Sequence, residues 1–215
     1  MDSNVVGLAA EEIEELTRKA VVRKLPRQAL VVSEGDRTDS LYIILSGKVK
    51  VFLASDEGGE GAGRQLTLRT LGPGDYFGEM VLDEGPRSAS VMTLEPSSFA
   101  VVSRDAFTAF IAAHPQFTLR LIKKLIGLTR ALTNNVRSLA LLDVYGRVAR
   151  LLLELAVEKD GARVIPEKLT QREIASRVGA SREMIGLILR DLTVGGYITV
   201  SGREITINKE PPKHW

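Results

Sequence analysis

The chain has no cysteine, which excludes disulfides, thiolate zinc sites and cysteine-held iron–sulfur clusters. Histidine occurs twice, as His114 and His214, and His114 stands before Pro115 in what reads as a structural loop. No apolar run approaches the roughly 18 residues that would read as a membrane span. The start, Met1-Asp2-Ser3-Asn4, lacks a basic-then-apolar leader pattern, so no membrane contact and a cytoplasmic location are expected. No nucleophile–base pair, metal-ligand cluster or suitably spaced acid pair is visible, so an enzyme is not expected. What is present is ordinary globular material: 215 residues, 44% apolar and 26% charged, enough for one large or two ordinary domains.

Charge is unevenly placed. Residues 1–115 carry 12 basic and 17 acidic side chains, a net −5, whereas 116–143 carry +4 and 144–215 carry +3. The basic part comes last, where contact with a polyanion is expected.

Apolar spacing of Ile13, Leu16 and Ala20 predicts a short helix over 11–24. Short β-prone runs follow up to about Ser103, including Ala29–Val32, Leu41–Leu45, Val49–Leu53 and Phe99–Val102, punctuated by glycine and proline. That pattern predicts a β-sandwich or β-roll. The stretch Asp56–Gly63 reads as a hairpin tip. After Pro115 a long helix is expected, with Leu121, Leu125, Leu128, Leu132, Asn135, Leu139 and Leu142 alternating by four and three residues. Such a heptad seam points to pairing with a second helix, and Asn135 would fix its register. The alternative is an amphipathic helix packed on its own domain.

Two patterns carry chemistry. In Tyr76–Met80, Gly78 can free backbone N–H groups to face an anion, and Glu79 can accept from a ribose hydroxyl. A little further on, Arg87 beside Ser88 offers a planar fork of donors to a phosphate. Together they describe a cyclic-nucleotide pocket, against the plainer reading of a glycine turn with a surface Glu and Arg. The last third begins with a helix from Tyr145 to Val157. Thr170-Gln171-Arg172-Glu173 is a capping box opening a helix that stops at Gly179. Ser181 can cap a second helix that ends at Gly195-Gly196. This is a helix-turn-helix. Tyr197–Val200 and Glu204–Ile207 then read as a β-hairpin wing.

Three stretches in this order carry a resemblance: Phe77-Gly78-Glu79 with Arg87-Ser88-Ala89, Leu141 to Arg147, and Thr170–Ala175 with Gly179–Glu183. With them the chain resembles the Crp/Fnr family of bacterial transcription regulators over nearly its whole length. The resemblance implies an α+β fold: a cyclic-nucleotide-binding β-roll over 1–115, a dimerisation helix over 116–143 and a winged helix-turn-helix over 144–215. It implies a homodimer paired through Leu121, Leu125, Leu128, Leu132, Asn135 and Leu139, and bound to a near-palindromic double-stranded operator. No cofactor is implied beyond the effector, a cyclic nucleotide such as cAMP; RNA polymerase would be a partner if the protein activates.

By position, Gly78 and Glu79 match the family's ribose–phosphate contacts, and Arg87 and Ser88 its phosphate clamp. Thr133 stands where cyclic-AMP-binding members have a serine reaching the base from the partner subunit. Leu132 replaces a threonine that reads the purine, and the Glu79-to-Arg87 loop is slightly short. Arg182 and Glu183 match two base-reading residues, suited to guanine and to cytosine N4–H. Leu187 stands where a third reader is usually arginine, and can only touch a thymine methyl. Ser181, Arg172, Arg190 and Arg203 are expected at phosphates, where they position without reading sequence. Two other readings stay open: the same DNA-binding architecture with a different effector or none, and a nucleotide-binding regulatory subunit acting on a protein.

Overall fold

A computed structural model describes residues 8–18, 20–55, 65–83, 85–159, 161–166, 169–202 and 204–212. The expected hairpin tip at 56–63 and the expected phosphate contact Arg203 lie outside them. The chain divides into two compact units, one of residues 2–54 with 67–129, the other of residues 55–66 with 130–215 and residue 1.

The first unit opens with α1 (Ala10–Thr17), β1 (Val21–Leu25), β2 (Leu30–Val32), β3 (Ser40–Ser46) and β4 (Val49–Ala54). Then come β5 (Gln65–Leu71), β6 (Tyr76–Phe77), a 3-10 turn (Glu79–Asp83), β7 (Ser90–Thr93) and β8 (Ser97–Ser103). Two helices close it, α2 (Arg104–Ala113) and the start of α3 (Pro115–Leu141). The strands form two four-stranded sheets, ordered β1-β8-β3-β6 and β2-β7-β4-β5. Every register described within these two sheets is antiparallel.

The helix expected over 11–24 overruns the observed one by seven residues. It stops at Thr17, and Val21–Leu25 lies antiparallel to β8 with Val21 opposite Val101. Two β-branched residues in succession fit a helix poorly, and the edge of β8 satisfies their backbone.

β3 reads as unbroken apolar sequence because both its faces are covered. Leu41 and Ile43 point into a cluster with Phe107, Phe110, Phe117 and Leu121 on the helix side. Tyr42 and Ile44 point into a second cluster with Phe77, Val91 and Phe99. Pro115 opens α3 at a position where its missing N–H costs nothing. Phe117 then meets Phe107 and Phe110 edge to face at 6.1 and 5.1 Å. Leu121, expected at a dimer seam, is only 4% exposed in this cluster and anchors α3 to its own unit instead.

The second unit holds α4 (Val144–Leu155), β9 (Val157–Lys159), β10 (Ala162–Ile165), α5 (Gln171–Val178), α6 (Arg182–Val194), β11 (Ile198–Ser201) and β12 (Glu204–Ile207). Its strands form one sheet in the order β11-β12-β10-β9. Leu152, Ile165, Ile174, Ile185 and Leu192 fill its core. Asp143 caps α4 by accepting from the Gly146 N–H at 2.7 Å. Arg147 donates to the carbonyls of Val178 and Leu142 at 2.8 and 2.9 Å, tying the ends of α5 and α3 to α4. The Leu141–Arg147 stretch is therefore a corner-holding device.

Candidate functional site

In the first unit a pocket opens between β2, β4, β5, β7 and the loop that follows β6. Val32, Val51, Phe77, Ala89 and Val91 give it apolar walls, and Arg69, Gly78, Glu79, Arg87 and Ser88 supply the polar groups. Gly78 is required where it stands. Its φ is +85°, and a Cβ there would lie 2.6 Å from Arg87 Nη1 and 3.0 Å from the Ser40 carbonyl oxygen.

Glu79 and Arg87 are both 7% exposed, far below what such residues show unless they have partners. Arg87 Nε donates to the Thr38 hydroxyl at 2.7 Å, Nη1 to the Gly78 carbonyl at 3.2 Å and Nη2 to the Ser40 carbonyl at 2.5 Å. A guanidinium has five N–H groups, so one remains on each terminal nitrogen. Burial lowers its pKa, opposed chiefly by Tyr42 and Glu79. Ser88 is exposed and its hydroxyl lies 3.1 Å from Met80 Sδ.

Two cations that sequence reasoning missed act on Glu79, Arg69 in the pocket wall and Lys124 outside the lining. Arg69 Nη2 lies 3.5 Å from Glu79 Oε1. Lys124, on α3, is 7% exposed, donates to the Tyr76 carbonyl at 3.1 Å and sits 3.1 Å from the centre of the Tyr76 ring. Burial pulls its pKa from 10.5 to about 8, while Glu79 pushes it back up. Among the pocket's lining residues the charged ones are Arg69, Glu79 and Arg87, two cations to one carboxylate, which suits an anionic ligand. The alternation Leu66-Thr67-Leu68-Arg69 marks Arg69 as a strand residue. Its role depends on packing that spacing alone does not show.

Leu132 and Thr133, the expected base contacts, belong to the other unit and are not among the pocket's lining residues. Along α3 the exposed apolar side chains include Ile122, Leu125, Leu132, Val136 and Leu139, a stripe at alternating helical spacing. Leu128 is half-buried and Asn135 exposed.

In the second unit, Thr170 and Glu173 form the expected capping box, and Gly179 ends α5 at φ +67°. Ser181 accepts from the Met184 N–H at 3.2 Å, so its hydroxyl starts α6. Arg182 and Glu183 therefore occupy the first two positions of a capped helix, exposed, with Leu187 and Arg190 following on the outer face. Arg172 is exposed on the first turn of α5. Arg190 faces Asp191 at 3.8 Å, both largely in solvent. Beyond α6, β11 and β12 pair from Ile198–Ile207 to Ser201–Glu204.

His114, the one described histidine, stacks on Phe110 and faces Glu15 at 3.2 Å. Among the described residues no metal-binding group of acidic and histidine side chains occurs, and no helix is long and apolar enough to cross a membrane.

Residues 22–114 match the cyclic nucleotide-binding domain and residues 146–211 the Crp-like helix-turn-helix domain. The chain is 37% identical to the CRP-like cAMP-activated global transcriptional regulator of Mycobacterium tuberculosis, over 94% of this chain and 90% of that one. It is 33% identical to the cAMP-activated global transcriptional regulator CRP of Salmonella typhimurium, over 86% and 89%. Among solved structures, the c-di-GMP-responsive global regulator CLP of Xanthomonas campestris aligns with TM-score 0.77 at 26% identity, over 93% of this chain and 99% of that one.

Proposed function

The chain belongs to the Crp/Fnr family of DNA-binding transcription regulators, and on that footing we propose that it acts as a homodimer whose N-terminal unit answers to a cyclic nucleotide. It is a regulator, not an enzyme. The observation that carries the effector reading is the burial of Glu79 and Arg87 in one pocket beside the positive-φ Gly78. The cyclic phosphate takes the free N–H groups of Arg87, with Ser88 at the rim, and a ribose hydroxyl takes Glu79. The relatives from Mycobacterium and Salmonella are named as cAMP-activated, which favours cyclic AMP. Leu132 in place of a purine-reading threonine favours a second reading, another cyclic nucleotide. The effector domain is read as ending near residue 115 and the pairing helix near 143.

The dimer pairs through the apolar stripe of α3, and its two α6 helices enter successive major grooves about 34 Å apart. Arg182 reads guanine, Glu183 accepts from cytosine, and Leu187 meets a thymine methyl. Arg172, Arg190 and Arg203 lie at phosphates, and Ser181 adds a phosphate contact beside its cap. The protein works in the cytoplasm, and recruits RNA polymerase where it activates. Calorimetric titration of the purified protein with cyclic AMP, cyclic GMP and cyclic di-GMP tests the reading. Binding of none of them removes the effector, and a salt-dependent operator shift without any ligand would leave DNA binding alone.

A further inference from the structure

The contact between Arg69 and Glu79 is incomplete. An arginine and a carboxylate that meet fork to fork satisfy two donors and two acceptors at once. Here Nη2 and Oε1 lie 3.5 Å apart, and both Arg69 Nη1 and Glu79 Oε2 are buried without a hydrogen-bond partner among the described residues. Both residues line the pocket. Buried polar groups of this kind are rare and need an explanation, because each costs free energy unless something meets it.

The other cations do not supply the missing bonds. Lys124 donates a hydrogen bond to the Tyr76 carbonyl, and Arg87 donates three, to the Thr38 hydroxyl and the Gly78 and Ser40 carbonyls. The Arg69–Glu79 contact thus leaves one donor and one acceptor unmet, carried by two side chains already in electrostatic contact. The smallest ligand group that answers both is a hydroxyl, whose hydrogen goes to the carboxylate and whose oxygen accepts from the guanidinium.

We propose that Arg69 is a ligand-contacting, specificity-determining residue that shares one ribose hydroxyl of the effector with Glu79. The assignment rests on the reading of this pocket as a cyclic-nucleotide site. It makes the protein strict for ribonucleotides, since an effector lacking the hydroxyl leaves both a buried donor and a buried acceptor unmet. A site that hydrogen-bonds a substrate hydroxyl rejects the analogue without it far more strongly than an apolar site would.

The test compares cyclic AMP with 2′-deoxy cyclic AMP, and cyclic GMP with its 2′-deoxy analogue, on wild type, Arg69→Met, Arg69→Lys and Glu79→Gln. Each charged hydrogen bond is worth on the order of tenfold to a hundredfold in affinity. Wild type should therefore lose on the order of a hundredfold or more when the hydroxyl is removed. In Arg69→Met that loss should shrink by on the order of tenfold. Arg69→Lys, which keeps the charge but not the fork, should fall between and serves alone should Arg69→Met not fold. A deoxy loss that is the same in wild type and in both Arg69 variants would overturn the inference and leave Arg69 as a neutraliser of Glu79. A wild type that binds neither ribonucleotide would overturn the pocket reading, and the inference with it.

Discussion

At Gly78 a single hydrogen atom decides the geometry of the pocket. Gly78→Ala puts a methyl 2.6 Å from Arg87 Nη1 on a backbone at φ +85°. The backbone strain alone costs about 1–2 kcal/mol. The methyl also pushes Arg87 off the Ser40 and Gly78 carbonyls, so nucleotide affinity should fall more than tenfold. Unfolding in denaturant and calorimetry read the two effects separately. Lys124 makes a different kind of prediction. Its folded pKa of about 8 lies below the ordinary 10.5, so its burial penalty is fully present below pH 8, where the lysine is charged in both states. Between pH 8 and 10.5 the unfolded chain holds the proton more tightly, so stability rises with pH through that window, by about 3 kcal/mol in all. Subtracting the pH profile of Lys124→Met isolates this rise, and a flat difference would show that the amine is not desolvated. Gly78, Glu79 and Arg87 could be picked out in the sequence because their residue types state their chemistry. Arg69 and Lys124 could not, since an arginine in a strand and a lysine in a helix read as solvated charges until packing buries them.

Among the elements, α3 and α6 divide into what apolar spacing shows and what it conceals. Apolar spacing along α3 picks out Leu125, Leu132 and Leu139, which are exposed, but a period of 3.5 cannot choose between Leu121 and Ile122 as their companions. Tertiary packing chooses: Leu121 is 4% exposed and Ile122 47%. Leu132→Glu should accordingly leave a folded monomer, because it charges only the outer stripe. Leu121→Glu should unfold the first unit, because it strands a charge in the core at a cost of several kcal/mol. Analytical ultracentrifugation with circular dichroism separates the two outcomes. The same limit explains β1, where apolar residues spaced for a helix continue straight into a strand. The caps at the turn, Gly179 ending α5 and Ser181 starting α6, were legible because capping chemistry is local. Arg182→Ala and Glu183→Ala should each cost roughly 1–3 kcal/mol in operator binding and relax one base pair, while Arg172→Ala weakens all sequences alike. Leu187→Arg should sharpen a preference for guanine at its own position. Selection from randomised operators reads all four.

For the whole molecule, a regulator whose effector raises its affinity for an operator must show the reverse effect to the same degree. Operator DNA should therefore tighten nucleotide binding by the factor, commonly 5- to 150-fold, by which nucleotide tightens operator binding. Titrating nucleotide with and without saturating operator checks it, and unequal factors would mean that a third species, such as free monomer, shares the equilibrium.

β3 is a party wall. Arg87 lies 6.0 Å from the Tyr42 ring, which stacks on Phe77 at 5.0 Å, and the next side chains along the same strand, Leu41 and Ile43, lean on the cluster that holds Phe117 at the root of α3. The tenant on one side and the tenant on the other are separated by a single thickness of backbone. A shove against Arg87 or Phe77 has no further to travel than that, and neither room can be refitted without disturbing its neighbour.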